Sequence, residues 1–453
     1  MNALAPSQPS SGKSRVVQFL LEKLSGIPIF DRSGAGENLL KVGRWLLAVM
    51  LFACIFIPRV SLGGGIHSAY SIDLRMEDFI LLGLVALVAM VTAQRQPGQN
   101  AWLGVPSVEK AFLGFLIVAE LSIFYGIFSG TVDKPLLSLL YLVKWFEYFL
   151  VFAVTVRLAA NPKASLFFLK TFFILGLAVA AYGYWEHFFP FSDRIFPPYY
   201  RLFERFPFHG DANHIGGFFV LWIGFFLGLF LVSRKRSEEA WFFVSLILVL
   251  PPLLWTYSVK SFLGLAGVFF AAIFFRTGGK KLLLLIALLG LSVFFLPSQL
   301  WERLANIREA LQSTDPYHSS WASNLFMWKQ AVWNFRDFFL LGSGLGSRHR
   351  FFYESQYVLV LAETGIIGML AFLGIFLAAV RKITAAYPVL GGKDKGIALG
   401  WFIGCTGLAI HNITCVSWTV VKVAIPFWFL TALVLMRCKS NTLTYDDLAQ
   451  NQT

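Results

Sequence analysis

Residues 356–380 read QYVLVLAETGIIGMLAFLGIFLAAV, 25 residues with one charge, Glu363, closed off by Arg381 and Lys382. At about 1.5 Å of rise per residue, a helix of this length exceeds the ~30 Å hydrocarbon core of a bilayer. A soluble helix keeps a polar face, and this one has none. Working outward, similar windows occur at 41–58, 77–93, 111–128, 136–156, 165–184, 215–232, 241–257, 261–275, 281–297, 397–413 and 419–436, twelve in all. The expected fold is therefore an all-α polytopic membrane protein with about twelve transmembrane helices.

Composition agrees. The chain is 57% hydrophobic and 14% charged, where soluble domains carry roughly a quarter charged residues. Residues 1–40 then form a polar N-terminal tail without an early apolar core, so no cleavable leader is expected. Residues 41–297 hold the first nine spans, 298–355 a large loop, 356–436 the last three spans, and 437–453 a second tail. Two windows, 241–257 and 261–275, are short, with a turn expected after Pro251-Pro252. Cys54, Cys405, Cys415 and Cys438 are scattered in apolar surroundings, with neither metal-ligand spacing nor a disulfide framework.

The net charge of +13 is read as membrane topology and not as a nucleic-acid surface. With twelve spans, Arg95/Lys110, Arg157/Lys163, Arg234/Lys235/Arg236, Arg276/Lys280/Lys281, Arg381/Lys382 and Arg437/Lys439 all fall on the side of the basic N-terminal tail. By the positive-inside rule, both termini are cytoplasmic. The other side then receives two substantial segments, about 185–214 and about 298–355. The second contains helical-looking stretches, Trp301–Gln312 and Trp321–Phe335, and the Gly-rich LGSGLGS. Loops of that size are usually functional.

These outer segments hold arginines where the rule disfavours them. Arg201 and Arg205 lie in the short first segment, Arg348 and Arg350 near the end of the second, and Lys260 in the outer turn YSVKSFLGL. A guanidinium fork binds phosphate oxygens in pairs, and at a membrane surface the phosphate belongs to a lipid headgroup or a lipid-linked substrate. In FHGDANHIGG, His209, Asp211, Asn213 and His214 cluster just before a span. A third confident metal ligand is missing, so no metal is expected there, and Asp211 or Asn213 also suits a helix cap. Glu354 lies at the junction of the large loop and the 356–380 span. It reads either as a general base or as a carboxylate favoured by the helix dipole. Glu363 is inside that span and must be paired or face a cavity. Lys144 and Glu147, three residues apart, read as a neutralising pair.

The order of RLFERFPFHGDANHIGGFFVL, TYSVKSFLGLAG, LGSGLGS and YESQYVLVLAETGIIGMLAF resembles the O-antigen ligase and O-antigen polymerase family. SIDLRMEDFILL and LLYLVKWFEYFLVFAV add weaker matches. Ligases of that family usually carry a His-Asn pair where this chain has Glu354-Ser355, and an Arg after the serine where it has Val259-Lys260. Polymerase chemistry is therefore expected before ligase chemistry.

The resemblance implies a GT-C-like glycosyltransferase architecture in the bacterial inner membrane, with the active site on the periplasmic face and no metal or cofactor. It implies inverting transfer of a glycan from undecaprenyl diphosphate to a second lipid-linked glycan, the acceptor. Arg201 and Arg205 would hold the diphosphate, with Glu354 acting on the acceptor hydroxyl. Lys260, Asn213, His214, His209, Arg348 and Tyr357 would contact substrate and membrane lipid. A chain-length regulator and a flippase are the partners implied. Transfer to lipid A-core or protein is the ligase alternative. A lipid-linked glycan transporter, or a structural subunit, is the alternative of another class.

Overall fold

The computed structural model describes residues 35–58, 60–62, 72–93, 104–189, 202–203, 212–275, 279–281, 320–347 and 353–450, with isolated positions between 283 and 305. The helices are α1 (Ala35–Phe56), α2 (Met76–Ala93), α3 (Pro106–Phe128), α4 (Pro135–Leu158), α5 (Pro162–Phe188), α6 (Ala212–Val232), α7 (Arg236–Trp255), α8 (Val259–Phe274), α9 (Ser320–Asp337), α10 (Gln356–Ala386), α11 (Gly392–His411) and α12 (Val421–Gln450). Among the described residues the only strands are β1 (Val60–Leu62) and β2 (Ile72–Leu74), antiparallel with Ser61 opposite Asp73. Three-residue strands are too short to show a period of two, which is why the sequence gives no sign of them.

Among the described residues, eight helices are long and apolar enough to cross a membrane: α1, α3, α4, α5, α6, α7, α10 and α12. The chain is a multi-pass helical membrane protein. The windows at 77–93 and 397–413 fall on α2 and α11, and the window at 261–275 on the 16-residue α8. The window at 281–297 lies almost entirely outside the described residues. Trp45, Leu82, Ile117, Phe128, Phe270 and Leu370 are exposed, apolar groups that lipid solvates at no cost. Within the bundle every backbone polar group must find a partner.

The helix α6 is buried on nearly every side, as an all-round apolar helix must be. Its closest partner is α11, and glycines set the distance. A Cβ built on Gly400 would lie 2.1 Å from the Phe225 carbonyl oxygen, and one on Gly224 would lie 2.5 Å from the Gly404 Cα. Hydrophobicity does not drive helices together in lipid, so this backbone-to-backbone approach supplies the dispersion contacts instead.

Helix α10 is broken at Gly365 (φ 64°, ψ −166°). The break frees backbone groups that the Gly-rich loop captures. Ser343 N–H donates to Ala362 O (2.9 Å) and Gly344 N–H to Glu363 O (3.0 Å), while Ile366 N–H donates to Phe339 O (2.9 Å). Gly342, Gly344 and Gly346 have φ of 71°, 101° and 85°, which explains their spacing. Gly346 N–H also donates to Glu363 Oε1 (3.1 Å). Glu363 is thus paired, as expected of a charge inside a span. Gly365→Ala combines a backbone region reserved for glycine with a Cβ 2.3 Å from Leu340 O. It should cost about 1–3 kcal/mol from the backbone alone. Thermal unfolding in detergent checks this against Gly374→Ala, whose added methyl meets nothing within 4 Å.

Polar groups gather at the two ends of the bundle. At one end Arg437 pairs with Asp394, Lys393 with Glu238, and Lys281 with Glu239. Lys281 also donates to Ser233 O (2.7 Å) at the end of α6. Lys144, on α4, bridges Glu147 (2.6 Å) and Asp78 (2.7 Å), which lies in the first turn of α2. The expected Lys144–Glu147 pair therefore has a third member.

Helix α7 runs through Pro251-Pro252 to Trp255, and the turn expected after that pair falls at Thr256–Ser258. There Thr256 Oγ1 donates to Leu253 O (2.7 Å) and closes the last turn. Helix α1 begins at Ala35, inside the expected N-terminal tail, and α12 runs to Gln450, well into the expected C-terminal one. In the large loop, α9 forms close to Trp321–Phe335 as expected. Trp301–Gln312 lies mostly outside the described residues.

Candidate functional site

The starts of α6, α8 and α10 meet the 411–420 turn between α11 and α12 at the end of the bundle opposite the Asp394–Arg437 pair. The starts of α8 and α10 have a local cause. Ser258 caps α8, its Oγ accepting from Ser261 N–H at 3.3 Å, and Ser355 caps α10, accepting from Val358 N–H at 3.5 Å. Glu354 is therefore not the cap. It stands one residue before it, with its carboxylate turned aside.

That carboxylate pairs with Lys260, in the first turn of α8. Asn324 Nδ2, from α9, donates to the same oxygen, Oε2, at 3.0 Å. The Glu354 side chain is 33% exposed and Lys260 15%, so the pair is open on one side. Three helices, one of them from the large loop, are joined through a single oxygen.

Beneath lies a buried polar floor. His411 Nε2 sits 3.2 Å from the Asn213 carbonyl oxygen and Nδ1 sits 3.1 Å from Ser417 Oγ. In the neutral ring, Nε2–H donates to the carbonyl, so Nδ1 accepts from the Ser417 hydroxyl. Asn412 Oδ1 accepts from Ser417 N–H (2.7 Å). Gln356 N–H donates to the carbonyls of Asn412 (3.0 Å) and Cys415 (2.8 Å). A Cβ on Gly217 would lie 2.9 Å from His411 Cε1, so glycine makes room for the ring. Ser261 Oγ and the Gln356 carboxamide are buried without a hydrogen-bond partner among the described residues. The floor thus carries unspent hydrogen-bonding capacity. Burial alone raises the Cys415 thiol, but the hydrogen-bonded His214 ring and the Lys260 charge outweigh it and leave the thiol below its ordinary value.

Of the residues expected from sequence, Lys260, Glu354, Asn213, His214 and Tyr357 belong to this region. The Tyr357 hydroxyl donates to Ala409 O (2.9 Å) and so ties α10 to α11. Arg201, Arg205, His209 and Arg348 lie outside the described residues. Between the first two, Leu202 N–H donates to Trp255 O (3.3 Å) and Phe203 N–H to Glu186 Oε2 (2.9 Å). Trp255 stacks on His187 at 3.8 Å, so this dipeptide is anchored at the end of α7 that leads into the Lys260 turn. Among the described residues, no three His, Cys, Asp or Glu side chains are placed to hold a metal ion.

Sequence reasoning missed Asn324, Asn412, Ser417 and the placement of His411 and Cys415. The run HNITCVS, between two apolar windows on the side assigned to Lys260, carries a usable signal for most of them. Nothing local marks Asn324, which meets Glu354 only through the fold of the large loop.

The arrangement offers anion recognition, from Lys260 and the positive ends of three helices, beside a carboxylate with one oxygen tied down. Comparison of the chain with protein-family models and with curated proteins finds no match.

Proposed function

We propose that the chain is a metal-independent, inverting glycosyltransferase of the O-antigen polymerase type in the bacterial inner membrane. It crosses the membrane about twelve times in a GT-C-like arrangement, with both termini cytoplasmic and the Lys260–Glu354 end facing the periplasm. It joins a glycan carried on undecaprenyl diphosphate to a second lipid-linked glycan. The observation that carries this reading is the convergence of Lys260 and Glu354, two residues 94 positions apart, beside three helix N-termini.

In this reading, the leaving diphosphate sits at the helix N-termini with Lys260, Arg201 and Arg205 opposing its growing charge. Glu354 takes the proton from the acceptor hydroxyl. Asn213, His214, His209, Arg348 and Tyr357 border the sugars and the lipid. The polyprenyl tail lies along the apolar helix surfaces. A flippase supplies the substrate, and a chain-length regulator acts on the product.

The ligase reading differs only in the acceptor. Transport is the reading favoured by a different observation, the Lys144–Glu147 pair within α4, which Asp78 joins from the first turn of α2. The test is purified protein in proteoliposomes with a lipid-diphosphate-linked repeat unit. A ladder of lengthened glycans that disappears in Arg205→Ala supports polymerisation. Product only after adding lipid A-core moves the assignment to ligase. Unreacted lipid appearing in the opposite leaflet moves it to transport.

A further inference from the structure

Both donors to Glu354 use the same oxygen. Lys260 and Asn324 each bond Oε2, and among the described residues Oε1 has no partner. The two donors differ in kind. Asn324 is 7% exposed on α9, neutral and held in place. Lys260 is a compact point charge on a flexible stem at the positive end of α8, free to turn toward a second anion. A diphosphate carries more negative charge than one carboxylate, and Coulomb attraction scales with that charge.

We propose that Lys260 is an exchangeable counter-ion, held by Glu354 until the diphosphate of the donor substrate draws it away, and that Asn324 is the positioning residue that keeps Glu354 aimed afterwards. This rests on the glycosyl-transfer reading above and adds an order to it, donor before acceptor. Without donor, Glu354 Oε2 is shared by the Lys260 ammonium and the Asn324 amide. With the diphosphate bound, Lys260 serves the leaving group and Glu354 is left to Asn324. The acceptor O–H proton then passes to Oε1 and the acceptor oxygen bonds the anomeric carbon. The bond from that carbon to the diphosphate oxygen breaks, its electron pair leaving with the diphosphate beside Lys260. Donor binding therefore frees Oε2 from Lys260 before the acceptor is deprotonated, which places the donor ahead of the acceptor.

The test is a binding cycle with undecaprenyl diphosphate, which has no sugar to transfer, on wild type, Glu354→Gln, Lys260→Met and the double variant, each checked for monodispersity. If Glu354 holds Lys260 back, Glu354→Gln binds the diphosphate about tenfold more tightly, and in the Lys260→Met background that gain shrinks below about twofold. An unchanged affinity in Glu354→Gln overturns the proposal. So does an equal gain in both backgrounds, since that is simple repulsion between Glu354 and the ligand. Asn324→Ala adds a second check. As a positioning residue it lowers kcat about tenfold with the donor KM unchanged, whereas a purely structural role moves both or neither. A cycle that behaves as predicted in a protein that forms no glycan product refutes the transferase reading alone, and product with a failed cycle refutes the exchange alone.

Discussion

Glu354→Gln should lower glycan transfer by about 10²–10⁴-fold, the range a positioned general base contributes. The substitution keeps the size and the acceptor oxygen of the side chain and removes its ability to take a proton. Because Ser355, not Glu354, caps α10, the helix start survives and the loss is chemical. Lys260→Met should fall less steeply, by about 10²-fold, the effect of removing one stabilising group from a developing oxyanion. Initial rates of polymer formation, with thermal unfolding to show an intact fold, check both. A Glu354→Gln enzyme within threefold of wild type would reduce Glu354 to a structural partner of Lys260.

The second large effect is on folding. Gly400→Leu places a branched side chain where a single Cβ already meets the Phe225 carbonyl oxygen at 2.1 Å. The obstacle is backbone, which no rotamer avoids. The helices α6 and α11 must separate, and with them the Asn213–His411 contact that joins the floor of the site. We expect a cost of at least about 3 kcal/mol, the upper part of the overpacking range, and loss of monodisperse protein after extraction. Gly374→Ala, with open space around it, should be neutral or slightly stabilising, since alanine is the better helix former. Fluorescence-detected size exclusion of both variants measures the contrast.

What was legible in the sequence follows from what sequence patterns encode. Twenty-five apolar residues ending in Arg381-Lys382 can hardly be anything but a span, so α10 was plain. Lys144 and Glu147 lie three residues apart, so a helix brings them together without tertiary information. LGSGLGS was visible as a motif, but its work was not. Only the break at Gly365 shows that the loop replaces the missing helical hydrogen bonds. The turn after Pro251-Pro252 was also legible, because the apolar window carries both prolines to 257 and α7 stops at Trp255. Lys260 and Glu354 each stand out in the sequence, but nothing local pairs them across 94 positions. Asn324 and Ser417 were invisible because an isolated polar residue acquires meaning only from its neighbours in space.

The most direct measurement is the yield of free undecaprenyl diphosphate from a purified, reconstituted protein given a lipid-linked repeat unit, with a chelator present. One undecaprenyl diphosphate released per glycosidic bond formed, at a rate the chelator does not change, is the predicted result. Glycan lipid that stays intact in the presence of a competent acceptor would contradict the account, whatever else the protein does with it.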